Sequence, residues 1–281
     1  MRERARALLL LPAGFWYGVF LVAPIGVLVV FSFGTRSPNG GYLPGFTLDQ
    51  FAEIGTRVTP VINTVWYASL GTLGCLVVAY PLAYFLATRA GRWKYGLLAL
   101  VVIPLWTSFL IRTYAWMFIL GSNGVPRIWD ELGLGRLVLL NTPFAIVLGI
   151  VYNYLPLVIL PLFVSLDRLD RSLLEGSRDL GAGPFATFRQ ITLPLSLPGI
   201  VSGCLLVFIP AMGEYLIPVL LGGGKTYFLG NALADLFLQS RNWPFGSALG
   251  TAFVALMLGV VALYTVLTAR LSRHRPDVQL L

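Results

Sequence analysis

The sequence predicts an all-α, polytopic membrane protein with six transmembrane helices and a helical elbow between the fourth and fifth. Three observations predict it. Of 281 residues, 57% are apolar and only 11% are charged, against roughly 25% charged in a soluble domain. The charges fall in short clusters separated by apolar runs, each with the roughly 20 residues a helix needs to cross the hydrocarbon layer. Lys and Arg also crowd alternate connections between those runs, the pattern that fixes orientation in a bilayer.

The first span covers residues 8–33 and follows Arg2, Arg4 and Arg6. Its start resembles a signal peptide, but the run of about 25 residues lacks a small-residue cleavage pattern, so it reads as a retained helix. Further spans cover residues 61–88, 95–120, 144–164, 197–221 and 248–271. An even number places both termini on one side. With the N-terminus inside, the inner segments carry Arg89, Arg92, Lys94, Arg168, Arg171, Arg178, Arg189, Arg270, Arg273 and Arg275 besides the first three arginines. The outer loops carry only Arg36, Arg57, Arg127, Arg136, Lys225 and Arg241. Basic residues near helix ends resist translocation, so both termini face the cytoplasm. The spans follow one another closely without a linker or repeat, and residues 1–281 read as one membrane domain with its core at about 61–271. Net charge +8 is then accounted for by orientation, and nucleic-acid binding is not expected.

The one long inner loop, about 165–196, carries leucines at 166, 169, 173 and 180 at helical spacing, with Asp167, Arg171, Arg178 and Asp179 elsewhere. This predicts an amphipathic helix over 166–180. Gly181 and Gly183 suit a positive-φ helix end, and Pro184 suits the first turn of a new helix. That second helix displays Phe185 and Phe188, and Pro194 and Pro198 mark re-entry into the membrane. Burying both phenylalanines supplies about 3 to 6 kcal/mol of gross hydrophobic stabilisation. An interfacial helix resting on lipid is the simpler reading of the same residues.

The spacing favours the elbow. Glu175, five residues, Gly181, nine residues, Ile191, one residue, then Leu193-Pro194 closely resembles the EAA loop of bacterial ABC importer permeases, the binding-protein-dependent or MetI-like family. The family's two alanines are Gly176 and Ser177 here, both small, although Gly176 weakens the helix by up to about 1 kcal/mol relative to Ala. The resemblance extends from Asn63 to the sixth span. The stretches Asn63-Thr-Val-Trp-Tyr-Ala, Tyr80-Pro-Leu-Ala-Tyr, Pro104 to Trp116, Pro210-Ala-Met-Gly-Glu214-Tyr and Arg241-Asn-Trp-Pro-Phe-Gly look like the first permease subunit of spermidine/putrescine importers (PotB/PotH type). Permeases for iron, sulfate, phosphonates or opines share much of this vocabulary.

The resemblance implies a cytoplasmic coupling helix between helices four and five, with Glu175, Gly181, Pro184, Phe185, Phe188, Ile191, Leu193 and Pro194 in the part that docks on an ATPase. It implies as partners a second, similar permease, two cytoplasmic ABC ATPase subunits and an extracytoplasmic solute-binding protein, in the bacterial inner membrane. It implies no cofactor in this chain, ATP-Mg being bound by the partner ATPase, and no catalytic or metal-binding residues.

Two ionisable residues, Glu214 and Arg112, lie at bilayer depth, where a charge costs about 2.5 to 3.5 kcal/mol or more and marks function by default. Glu214 sits in a span interrupted by Pro210, Gly213 and Pro218. With Tyr215 it suits a cationic amine; alternatively it pairs with Arg112 or a backbone donor. Arg112 is expected to pair structurally or to snorkel to the outer edge. Tyr114 and Trp116 line a pathway or anchor the interface.

Other signals shrink. Gly222-Gly-Gly-Lys225-Thr226 lacks the first glycine of a phosphate loop because position 219 is Val219. Gly14/Gly18, Gly199/Gly203 and Gly246/Gly250 are candidate close helix contacts. Residues 228–239 read either as a segment that lies against the outer membrane surface and receives the binding protein or as a plain amphipathic loop. A membrane enzyme needs converging nucleophile and base or metal ligands, yet no H-E-x-x-H occurs, and the single histidine, His274, lies in the basic tail. A secondary transporter needs further intramembrane carboxylates.

Overall fold

Long apolar runs leave the backbone no partner in lipid except itself, so the chain is built almost entirely from helices. The computed structural model describes the backbone of residues 2–273, and the side chains of that range other than those of residues 2–9, 57, 171 and 267–273. His274 and Arg275 lie outside the described residues. In chain order the principal helices are α1 (Leu10–Ser32), α2 (Val58–Thr88), α3 (Gly91–Trp106), α4 (Phe109–Leu120), α5 (Pro143–Asp167), α6 (Arg171–Asp179), α7 (Pro184–Met212) and α8 (Trp243–Arg273). Five helices are long and apolar enough to cross a membrane, or up to six when the bent pair formed by α3 and the segment Phe109–Glu131 counts as one span.

That bent pair corrects the expectation of one straight third span over 95–120. The two halves meet at 92°. Pro104 enters a tight 3-10 turn over Ile103–Trp106, Thr107 is extended (φ −81°, ψ 151°), and α4 begins afresh after Ser108. Proline supplies no amide to the ladder, which tightens into the 3-10 turn, and the bend itself falls at Thr107 and Ser108.

Contacts divide the chain into two units, Thr59–Gly230 and the remainder. In the first, α5 packs along α7 with very close backbones: a Cβ on Gly199 would lie 2.5 Å from that of Ser165, and one on Gly203 would lie 3.1 Å from Val158. Of the three glycine pairs, this one makes the closest helix contact. Small residues of α2, namely Cys75, Ala79 and Ala83, complete a core with Val158, Ile159, Leu162, Phe163 and Val207. At one end of this unit Lys94 donates to both oxygens of Asp167, at 2.7 and 2.8 Å, tying the first turns of α3 to the end of α5.

In the second unit α1 packs on α8, where a Cβ on Gly250 would lie 3.4 Å from Leu28. After α1 a two-residue ladder pairs Thr35 with Leu43 and Arg36 with Tyr42. Tyr42 stacks on Phe31 at 4.2 Å, and the Arg36 guanidinium donates to the Ser240 carbonyl at 2.7 Å.

Candidate functional site

The elbow is built from the sequence signals that marked it, with three differences. Residues 166–180 do not form one helix. α5 runs on to Asp167, so Leu166 and Leu169 pack into the core of the bundle, and the amphipathic helix is α6 alone. Leucines at helical spacing fit either helix, and burial against α2 decides for α5. Asp170 caps α6: its carboxylate accepts from the Ser172 amide at 2.9 Å. That backbone hydrogen bond holds the Asp170 carboxyl below the usual carboxylate range.

α6 ends in a Schellman turn. The Gly181 amide donates to Arg178 at 2.8 Å and the Ala182 amide to Ser177 at 3.1 Å, with Gly181 at φ +80°. Gly183 does not share that role. At φ −68° it is the extended residue before the next helix, which Pro184 opens. The Ser177 and Thr187 hydroxyls, 3.0 Å apart, hydrogen-bond across the turn. Two short helices are thereby fixed at one angle.

The second difference is continuity. The chain does not break at Pro194 and Pro198; α7 runs from Pro184 to Met212 through a π turn at Phe188–Thr192. The wider turn just ahead of Pro194 relieves the clash that an α turn would place between its ring and a carbonyl four residues back. The elbow is therefore a rigid extension of the membrane helix.

The third difference is Phe188. Only Phe185 is displayed, 76% exposed. Phe188 packs edge-on against Tyr80 and Tyr84 of α2, at 5.7 and 6.2 Å between ring centroids. Tyr80 in turn shares a 3.0 Å hydrogen bond with Ser196. Between the two helices of the elbow lies a cleft of about 660 Å³ whose lining includes Leu173, Ser177, Leu180, Ala186, Gln190 and Ile191. Glu175 is exposed, while Leu193 and Pro194 are half-buried at the root of α7. An exposed phenylalanine near a concavity of mixed polar and apolar lining has the chemistry of a docking surface.

The intramembrane residues are arranged around α5. Glu214 is 5% exposed and occupies the break between α7 and the short helix Leu216–Leu220. Its Oε1 accepts from the amides of Tyr215, Leu216 and Ile217 at 3.1, 2.9 and 3.2 Å. Its Oε2 accepts from the Tyr154 hydroxyl at 2.6 Å. Backbone donors, not Arg112, hold this carboxylate. Arg112 neither snorkels nor forms an ion pair with a described residue. It is 9% exposed, makes a 3.4 Å contact to the Asn153 carbonyl and lies over the Phe109 ring. Its Nε and the Asn153 Oδ1 are buried without a hydrogen-bond partner among the described residues. Tyr114 and Tyr215 are exposed, whereas Trp116 packs edge-on against Tyr152.

Two polar residues with no role assigned from the sequence clip the segment before residue 230. Asn63 donates to the Tyr227 carbonyl at 3.2 Å, and the Thr64 hydroxyl accepts from the Leu229 amide at 2.7 Å. Phe228 is fully buried, so the start of the 228–239 segment is pinned inward and does not lie flat on a surface. The only trace in the sequence was an Asn-Thr pair at the start of an apolar span.

With this geometry in place, comparison with known proteins identifies the fold. Residues 79–275 match the family described as "Binding-protein-dependent transport system inner membrane component". The chain belongs to this family. Among curated relatives of this inner membrane component, the Haemophilus influenzae spermidine/putrescine transport system permease protein PotB is 37% identical, over 89% of each chain. The Escherichia coli PotB is 34% identical over 94% of this chain and 98% of its own, and the E. coli inner membrane ABC transporter permease protein YdcU is 31% identical over 94% and 89%. The permease fold also matches a bacterial ABC transporter involved in alginate import, at TM-score 0.75 and 18% identity over 96% of each chain. It matches the MetNI methionine ABC transporter at TM-score 0.54 and 20% identity over 77% of this chain and 94% of that one.

Proposed function

We propose that this inner-membrane permease is one of two paired membrane subunits of an ATP-driven importer that carries spermidine and putrescine into the cytoplasm, with both of its termini in the cytoplasm. PotB relatives at 34 to 37% identity over most of the chain support the solute. The excess of Lys and Arg in alternate connections supports the orientation. Its partners are a second permease, two ABC ATPase subunits that bind ATP-Mg, and an extracytoplasmic solute-binding protein. The chain itself holds no cofactor and catalyses nothing, and residues 1–281 act as one permease domain.

The observation that carries the reading is the rigid elbow at residues 170–192. Its capped α6, Schellman turn and unbroken junction with α7 form a lever, with Phe185 and the cleft beside Gly181 and Ile191 facing a partner. ATP binding closes the ATPase pair, the docked elbow follows, and α7 tilts as a body. Glu175 belongs to the docking surface, and Leu193 and Pro194 to the root of the lever. Phe188 conveys the motion to α2.

Glu214, Tyr215, Tyr114 and Trp116 lie along the solute path. The rings of Tyr114 and Tyr215 are exposed for contact with an amine. Glu214 acts through its field, because both of its oxygens are occupied by donors. The test is reconstitution of the chain with its partner permease, ATPase and binding protein in vesicles. ATP-dependent uptake of spermidine, competed by putrescine, is expected; assembly without polyamine uptake refutes the solute.

A further inference from the structure

Among the described residues, Glu214 and Arg112 are the carboxylate and the guanidinium buried at bilayer depth, and these two opposite charges do not pair with each other. Arg112 is 9% exposed. Its Nε has no hydrogen-bond partner among the described residues, and besides the Phe109 ring its guanidinium makes a 3.4 Å approach to a backbone carbonyl. Uncompensated guanidinium in a low-dielectric interior is tolerated only when another arrangement compensates it. Glu214, by contrast, is fully hydrogen-bonded, but by neutral donors that leave its charge in place.

Both residues stand at discontinuities. Arg112 lies one turn past the 92° bend between α3 and α4, and Glu214 lies in the gap after α7. Adjacent residues of α5 hold them, Asn153 for Arg112 and Tyr154 for Glu214. The Phe109 ring lies between the two sites, 5.9 Å from the Arg112 guanidinium and 6.2 Å from the Tyr154 ring centroid.

We infer that Arg112 is an internal competitor for the cationic solute: it pairs with Glu214 in the other state of the transport cycle and so switches off the negative field that attracts a polyamine. In the arrangement described above no ion pair with a described cation holds the carboxylate, and the pathway favours a polyammonium ion. When α7 tilts and α4 shifts, the guanidinium neutralises Glu214 and the solute is released. This rests on the polyamine-permease reading above.

The test uses the wild-type transporter with all its subunits, its structure determined without nucleotide and again trapped with ATP and vanadate. The inference requires a guanidinium nitrogen of Arg112 within 4 Å of a Glu214 oxygen in one state and Arg112 on the Asn153 carbonyl in the other. Arg112 on the carbonyl in both states overturns it. A second measurement uses Arg112→Gln, Glu214→Gln and the double variant in reconstituted vesicles. Each single change is expected to lower spermidine uptake about tenfold or more, and the double to recover part of that loss. Losses that simply multiply overturn the pair. A wild-type complex that takes up no polyamine defeats the proposed solute; one that does, without ever forming the pair, defeats this inference alone.

Discussion

The ring of Phe188 stands at 89° to that of Tyr80, with their centroids 5.7 Å apart, and at 86° to Tyr84 in the same helix. This edge-on pair joins the root of the elbow to α2 and separates two phenylalanines that the sequence treats alike. Each such contact contributes about 0.5 to 1.5 kcal/mol. Phe188→Ala is therefore expected to leave ATPase binding intact and to lower uptake per ATP hydrolysed. Phe185→Ala is expected to weaken ATPase binding about ten- to a hundredfold, for a lost contact of about 1.5 to 3 kcal/mol. Co-purification and the uptake-to-hydrolysis ratio separate the two; equal behaviour in both assays contradicts the division.

Gly181 and Gly183 give a paired test of the turn. Open space surrounds both, but only Gly181 has a positive φ, +80°. Ala at 181 costs about 1 to 2 kcal/mol of backbone strain. Gly183→Ala is expected to be neutral. Hydrogen exchange of the amides of α6 in the purified permease checks this, with faster exchange expected for Gly181→Ala alone.

Glu214 stabilises the break after α7. Glu214→Ala strands three amides and the Tyr154 hydroxyl, each at about 1 to 3 kcal/mol, and is expected to lower the thermal midpoint of the purified permease sharply. Glu214→Gln keeps the acceptor and is expected to lower it far less. Tyr154→Phe removes one hydrogen bond to a charged group, about 1.5 to 3 kcal/mol. A Glu214→Ala permease as stable as the wild type would remove the carboxylate from this role.

The start of α6 responds to acid alone. The Ser172 amide holds the Asp170 carboxyl below its ordinary value, so its support is complete above the unfolded carboxylate range near pH 4. That support is lost as the pH falls through the lower folded value. Exchange at residues 171–174 is expected to show no change in the cap between pH 6 and 8 and to accelerate only in acid. Asp170→Ala removes that acid step.

Much of this architecture was legible in the sequence because membrane helices satisfy their own backbones, and apolar length alone locates them. Helices α1, α2 and α5 begin or end within a few residues of the apolar runs, and Gly181 and Pro184 announced their turn through local backbone preference. What was illegible depended on distant partners. Leu166 and Leu169 fit the amphipathic pattern of α6, and only the core formed with α2 claims them for the bundle. Phe188 differs from Phe185 through Tyr80 and Tyr84, about a hundred residues earlier. Pro194 and Pro198 marked re-entry into the membrane, but nothing local showed that one helix runs through them from Pro184 by way of a π turn. A backbone donor was among the partners expected for Glu214, but its bond from Tyr154 had no local trace.

The central claim is that the elbow faces the cytoplasm and is gripped by an ATPase. The direct measurement is thiol labelling of Phe185→Cys, in a background carrying Cys75→Ser and Cys204→Ser, with a reagent that does not cross membranes. Labelling is expected in inverted vesicles and not in intact cells, and the bound ATPase subunit is expected to block it. Labelling from outside the cell, or labelling in inverted vesicles that the ATPase leaves unchanged, contradicts the account.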